Sequence, residues 1–117
     1  MELSSQVTSL ELSKKLKELG VKQKSLYKWV DCDGYGKQIV LSEEAINNKG
    51  VSAFTVAELL EMSPASTSIL KRTDIKTDTI PRYYVETFEH YRDSDWNENP
   101  ANALAKMLIY LIENKLI

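Results

Sequence analysis

Ser25-Leu26-Tyr27-Lys28-Trp29-Val30, followed by Asp31-Cys32-Asp33-Gly34-Tyr35-Gly36 and then by Gln38-Ile39-Val40-Leu41, is the stretch on which the fold turns. Aromatic and β-branched residues on both sides of a cluster of Asp and Gly read as strand, turn, strand. The same residues admit a competing reading when joined to what precedes them. Leu16 to Trp29 can be written as a helix-turn-helix, with Gly20 in the turn, Leu19 and Val21 flanking it, and Leu26 and Trp29 buried on a second helix. Lys22, Lys24 and Lys28 would then face DNA phosphates. Two features weigh against that alternative. Leu16 is bulky where close helix packing asks for a small residue, and Tyr27 to Val30 runs into the Gly-rich turn without a helix stop.

Outward from this stretch, helix starts are marked twice by one pattern. In Val7-Thr8-Ser9-Leu10-Glu11-Leu12 and Phe54-Thr55-Val56-Ala57-Glu58-Leu59, a threonine stands at the N-cap and a glutamate three residues on. This is the spacing of a capping box, and the apolar residue before each cap is placed to staple onto Leu12 or Leu59. The first helix is expected over Ser9 to Leu19 with Leu12, Leu16 and Leu19 as its apolar stripe. Gly20 is placed to end it in the left-handed conformation, with Val21 folding back on Leu16 as in a Schellman motif. The second helix begins at Val56 and stops early, because Ser63 precedes Pro64 and is pushed toward extended geometry.

Residues 42 to 52 read as a connection, and a short strand is expected near Ile69 within the Ser- and Thr-rich residues 65 to 81. Arg82 to His90, with Tyr83, Tyr84, Val85, Thr87 and Phe88, suits a pleated surface. The last helix has Asn99 as N-cap and Pro100 at its first position, where the missing N–H is harmless. Ala101, Leu104, Met107, Leu108 and Leu111 give it a broad apolar face, expected to be the main support of the sheet. The order α-β-β-α-β-β-α lacks regular βαβ alternation. The expected fold is therefore α+β, a small antiparallel sheet of about four strands with three helices against one face.

The chain of 117 residues, 43% hydrophobic, is the size of one domain, residues 1–117, with a single modest core. A net charge of −2 gives no global pull toward nucleic acid or anionic lipid. Charge is distributed unevenly all the same: six lysines lie between Lys14 and Lys28 against Glu18, and five acids between Glu86 and Glu98 against Arg92. One cysteine, Cys32, excludes an internal disulfide and fits a reducing compartment. The start Met1-Glu2-Leu3-Ser4-Ser5-Gln6 carries no signal-peptide pattern, and Met107 to Ile112 is too short an apolar run to span a bilayer. A cytoplasmic location without membrane contact is the expectation.

No catalytic constellation can be written. A nucleophile–base pair would need Cys32 and His90 adjacent in space with a third orienting group, and nothing in their spacing suggests this. Asp93-Ser94-Asp95-Trp96-Asn97-Glu98-Asn99 places oxygen ligands at alternate positions as a calcium loop does. It has Glu98 where such a loop needs glycine and Leu104 where the closing glutamate belongs, and an acidic run before a helix is favoured by the helix dipole alone. The glycines, at 20, 34, 36 and 50, fit neither phosphate-binding spacing. The reading is of a non-enzyme, with no catalytic residue, metal or cofactor.

Thr8 to Gly20, Ser52 to Met62 and Ala101 to Ile117 resemble a group of small uncharacterised proteins of phages, prophages and mobile elements, notably of Bacteroides-type bacteria. The likeness covers roughly half of the chain and rests on structural motifs, so it carries over no site residue. It implies a cytoplasmic accessory protein made during phage or prophage expression. It also implies an extended, aromatic segment after the first glycine, favouring the strand reading of Tyr27 to Val30. Residues 63 to 81 fall outside the likeness.

The sequence thus points to an interaction module that binds another protein or itself. The expectation comes from an aromatic surplus, Tyr27, Trp29, Tyr83, Tyr84, Phe88, Tyr91 and Trp96, larger than one small sheet face needs to bury. Tyr27, Trp29, Tyr83, Tyr84, Tyr91 and Trp96 are the candidate partner-binding surface. Lys22, Lys24 and Lys28 are the candidate DNA contacts of the helix-turn-helix alternative only.

Overall fold

A computed structural model describes residues 2–32, 34, 36–45, 50–72, 81–87, 91–92 and 96–117. The helices are α1 (Leu10–Glu18), α2 (Val56–Met62) and α3 (Pro100–Glu113). The strands are β1 (Tyr27–Cys32), β2 (Gly36–Leu41), β3 (Val51–Ala53), β4 (Thr67–Arg72), β5 (Arg82–Thr87) and β6 (Tyr91–Arg92), and short 3-10 turns occupy Leu3–Ser5 and Ser42–Glu44. The α+β class is as expected. The single sheet is not: the strands form two antiparallel sheets, ordered β2-β1-β3 and β4-β5-β6.

Two short strands also raise the number from the expected four to six among the described residues. Val51–Ala53 begins within what reads as a connection, residues 42 to 52, because three residues are too few to show an alternating pattern. It becomes a strand by pairing with Tyr27, Lys28 and Trp29 of β1. Gly50 makes this possible. Its φ is +112°, and a Cβ there would stand 2.6 Å from the Trp29 carbonyl oxygen, so only glycine lets the chain run in against β1. The second addition, β6, pairs Tyr91 with Thr87 and Arg92 with Glu86.

The helix-turn-helix alternative is overturned. Residues 21–25 carry no helix and residues 27–32 are the central strand of the first sheet, so Lys22, Lys24 and Lys28 share no recognition helix. Lys28 is 8% exposed and sits across from Val40 and Ser52. The stop at Gly20 explains why the first helix does not resume. With φ +89°, Gly20 donates to the Lys17 carbonyl (3.1 Å) and Val21 donates to that of Leu16 (3.0 Å), the paired bonds of a Schellman motif.

The two threonine boxes have different outcomes. Thr55 forms the full box: its hydroxyl accepts from Glu58 N–H (3.3 Å), and Glu58 Oε1 accepts from Thr55 N–H (2.9 Å). Phe54 and Leu59 are both buried beside it. Thr8, by contrast, caps nothing. The N-cap of α1 is Ser9, whose Oγ accepts from Leu12 N–H at 3.3 Å, and the helix starts one residue later than the box would place it. Thr8 Oγ1 is fully buried, lying 2.7 Å from Ser13 Oγ and accepting the Phe54 N–H at 3.0 Å. A buried N–H without a partner costs more than a frayed helix end, so the hydroxyl serves the strand-like pairing instead.

The core gathers on α3. Its Asn99 cap accepts from Ala101 N–H (2.8 Å) and Asn102 N–H (3.2 Å), and Ala101, Leu104, Met107, Leu108 and Leu111 are all buried as their spacing predicts. This helix packs against β5, β6, α1 and α2, while the first sheet is held by α1 against β3. It therefore supports the second sheet and the other helices, and not the β1–β2 hairpin. The molecule is a slab of 41 × 38 × 18 Å. Its thickness accommodates one layer of helix on one layer of sheet, and no helix among the described residues lies on the opposite face of the second sheet.

Candidate interaction surface

Strand alternation sorts the aromatic residues of the second sheet. On β5, Val85 and Thr87 are buried toward α3, so Tyr83 shares their inward face and Arg82, Tyr84 and Glu86 point the other way. The register with β4 places Ile69 opposite Val85 and Leu70 opposite Tyr84. Ile69 packs on the core. Leu70 stands outside and is 49% exposed.

Trp96 completes this outer face. Tyr83 donates its N–H to the Asn97 carbonyl (2.6 Å) and accepts from the Asn97 N–H (2.8 Å), which brings the residues before α3 alongside β5. The Trp96 ring then lies 5.2 Å from that of Tyr84, tilted by 39°, and the Arg72 guanidinium sits 5.9 Å from the indole centroid. Tilted rings and a cation on an indole face are favourable arrangements, each contributing about 0.5–1.5 kcal/mol. Leu70, Arg72, Tyr84 and Trp96 thus form one aromatic and aliphatic patch with a positive charge in it, over which no helix of the described residues lies.

The six expected surface residues are divided among three places. Tyr84 and Trp96 are on this outer face. Tyr83 and Tyr91 belong to the inner side, where Tyr91 packs on the core and meets Tyr110 of α3 at 5.4 Å. Tyr27 and Trp29 are in the other sheet. Trp29 donates its indole N–H to the Thr8 carbonyl (2.9 Å), a contact that fixes it as part of the scaffold. Tyr27 lines a shallow cleft of about 380 Å³ with Leu3, Gln6, Leu26, Val56 and Pro100.

Leu70 and Arg72 escape the sequence reading although a signal for Leu70 exists. Ile69 and Leu70 are adjacent, and once the segment is a strand only one of two consecutive apolar residues can face the core. No such signal marks Arg72, whose place over Trp96 depends on a contact across 24 residues of chain.

Lys22 and Lys24 line a second open cleft of about 530 Å³, with Ser25, Leu26, Glu58, Glu61 and Met62. Its charges are mixed. Glu58 is already engaged there, since its Oε2 accepts the Leu26 N–H at 2.8 Å and ties α2 to the start of β1. Cys32 is a half-buried free thiol at the end of β1. His90, Asp93, Asp95 and Phe88 lie outside the described residues, and among those described no group of three or more His, Cys, Asp or Glu side chains comes close enough to hold a metal ion. No helix among the described residues is long and apolar enough to cross a membrane. Compared with protein families, curated proteins and solved structures, the chain matches none.

Proposed function

We propose that this protein is a non-enzymatic interaction module whose binding surface is the outer face of the second sheet. The observation that carries this reading is the half-exposed Leu70 beside the Tyr84–Trp96–Arg72 cluster, on a sheet face that no described helix covers. Aromatic residues and arginine grouped around an aliphatic side chain have the composition of a protein-binding hot spot. The indole has Tyr84 beside it and Arg72 over it, an arrangement that fits a preassembled protein contact better than a free platform for nucleic-acid bases. The lone cysteine and the likeness of the chain ends to phage and prophage proteins support a cytoplasmic setting, with an accessory role during phage or prophage expression.

The test compares the wild-type chain with Trp96→Ala and Leu70→Lys in affinity capture from cells in which a prophage is induced, alongside sedimentation of the purified proteins. The expected result is association, with a protein partner or with itself, that both variants weaken while their thermal unfolding stays cooperative. Association unaffected by either substitution, or none at all in capture and sedimentation, overturns the reading.

A further inference from the structure

We infer that the β4 rim of this surface meets a second copy of the chain, by antiparallel pairing of β4 with β4 that joins two second sheets into one continuous sheet across a two-fold axis. This inference rests on the interaction reading above and narrows it to one partner and one register.

Tyr83 uses both its N–H and its C=O on Asn97, on the side of β5 away from β4. Lys71 and Tyr83 are therefore a non-hydrogen-bonded pair of the β4–β5 ladder, and Leu70 and Tyr84 are a hydrogen-bonded one. By alternation, the N–H and C=O of Ile69 and Lys71 point away from β5. The sheet order leaves β4 at its edge, and none of these four groups has a partner among the described residues. A six-residue edge strand without proline is a template for another strand.

A one-residue slip would turn the apolar inner face of one copy outward, so only registers that keep both outer faces on the same side are allowed. With Ile69 on the two-fold axis, Lys71 would need the Thr67 N–H of the second copy, and that group already donates to the Pro64 carbonyl at 3.1 Å. With Lys71 on the axis, two ammonium groups would stand face to face. With Leu70 on the axis, Ile69 of each copy exchanges both backbone bonds with Lys71 of the other. The donor and acceptor pattern is then complementary to itself, as a two-fold contact requires.

That register also suits the side chains. The Leu70 pair is non-hydrogen-bonded, the arrangement in which opposed side chains are closest, so each half-exposed leucine is covered by its own counterpart. Arg72 of the second copy falls opposite Ser68, whose neighbour across the sheet on the same face is Glu86. Charges of opposite sign thus lie about two strand spacings apart at both ends of the contact, and the two Tyr84–Trp96 clusters extend one surface across the axis.

The experiment uses the full chain. Sedimentation equilibrium from micromolar to near-millimolar concentration is expected to show a monomer–dimer equilibrium, and Lys71→Pro to weaken it at least about tenfold, because each copy loses one intermolecular donor. Proline is tolerated at an edge position whose N–H faces outward, and the β4–β5 ladder does not use this one. If Lys71→Pro fails to fold by circular dichroism, Leu70→Lys, with like charges on the axis, replaces it and is expected to abolish the dimer. In a Cys32→Ser background, Leu70→Cys should form an intermolecular disulfide on mild oxidation and Ser68→Cys should not, since only the pair on the axis has the required separation.

A wild-type chain that stays monomeric throughout overturns the inference, as does cross-linking at position 68 as readily as at 70. If the monomer nevertheless captures another protein in a manner dependent on Leu70 and Trp96, self-pairing falls and the interaction module stands. Loss of that capture as well removes both.

Discussion

Thr8 and Thr55 carry the same local signature and do opposite work. Around Thr55 the capping box closes as written, with the Glu58 side chain returning to the Thr55 N–H and hydroxyl at 2.9 and 3.0 Å. Around Thr8 the threonine, glutamate and leucine recur at the same spacing and the box is absent. Residues 7–9 are drawn into a joint instead: Val7 bridges Thr55, Thr8 N–H donates to the Phe54 carbonyl (3.0 Å), and the Asn99 and Asn102 side chains bond Val7 C=O and Ser9 N–H. A cap serves one helix. The joint ties the starts of all three helices together, and a buried hydroxyl inside it satisfies a backbone group 46 residues away. The same spacing of threonine and glutamate is thus used locally where the threonine is half-buried, and for tertiary bonding where it is fully buried.

The two sites also differ in what their loss should cost. The largest effect is expected at the support they share. Leu108→Ala and Leu111→Ala on the buried face of α3 should each destabilise by about 2–5 kcal/mol, a large part of the ~5–15 kcal/mol available to a domain of this size. Urea denaturation measures it, and midpoints close to wild type would mean that α3 is not the common support.

Next comes the joint. Thr8→Ala leaves the buried Phe54 N–H without its acceptor, and the Ser13 hydroxyl with the Thr8 carbonyl alone at 3.3 Å, and should cost about 1–3 kcal/mol. Thr8→Ser should recover most of that loss by keeping the hydroxyl. Because Thr8 and Ser13 are in direct contact, the double mutant Thr8→Ala/Ser13→Ala should be less damaging than the two single losses added together, by about 0.5 kcal/mol or more. Strict additivity would dissolve the joint as a unit.

Thr55→Ala, which removes a cap, should cost about 0.5–2 kcal/mol, again restored by serine. If it matches Thr8→Ala in size and Thr8 shows no coupling to Ser13, the contrast between the two sites is lost. The smallest effect is expected at Ser9→Ala, at the low end of the same range, about 0.5 kcal/mol, since the Ser9 cap bond is long at 3.3 Å. A larger loss at Ser9 than at Thr8 would restore the capping role to this end of the chain and reverse the comparison.

By itself the sequence determined what depends on neighbours within a turn or two. Asn99-Pro100, the Thr55 box, the Gly20 stop and the 3.6-residue stripe of α3 are fixed by hydrogen bonds and burial within a single element, so residue type and spacing suffice to read them. The β1–β2 hairpin was legible for a similar reason, because strong strand formers flank a compact turn cluster. Only the tertiary structure decided whether Thr8 caps or joins, whether Val51–Ala53 is a strand, and how the strands divide between two sheets. Each of those outcomes depends on a partner far along the chain: Phe54 for Thr8, Trp29 for Gly50 and Val51, Asn97 for Tyr83. The interaction surface belongs to the same class. Leu70, Arg72, Tyr84 and Trp96 are brought onto one face by cross-strand register, and register is set by pairing between distant segments rather than by the composition of either.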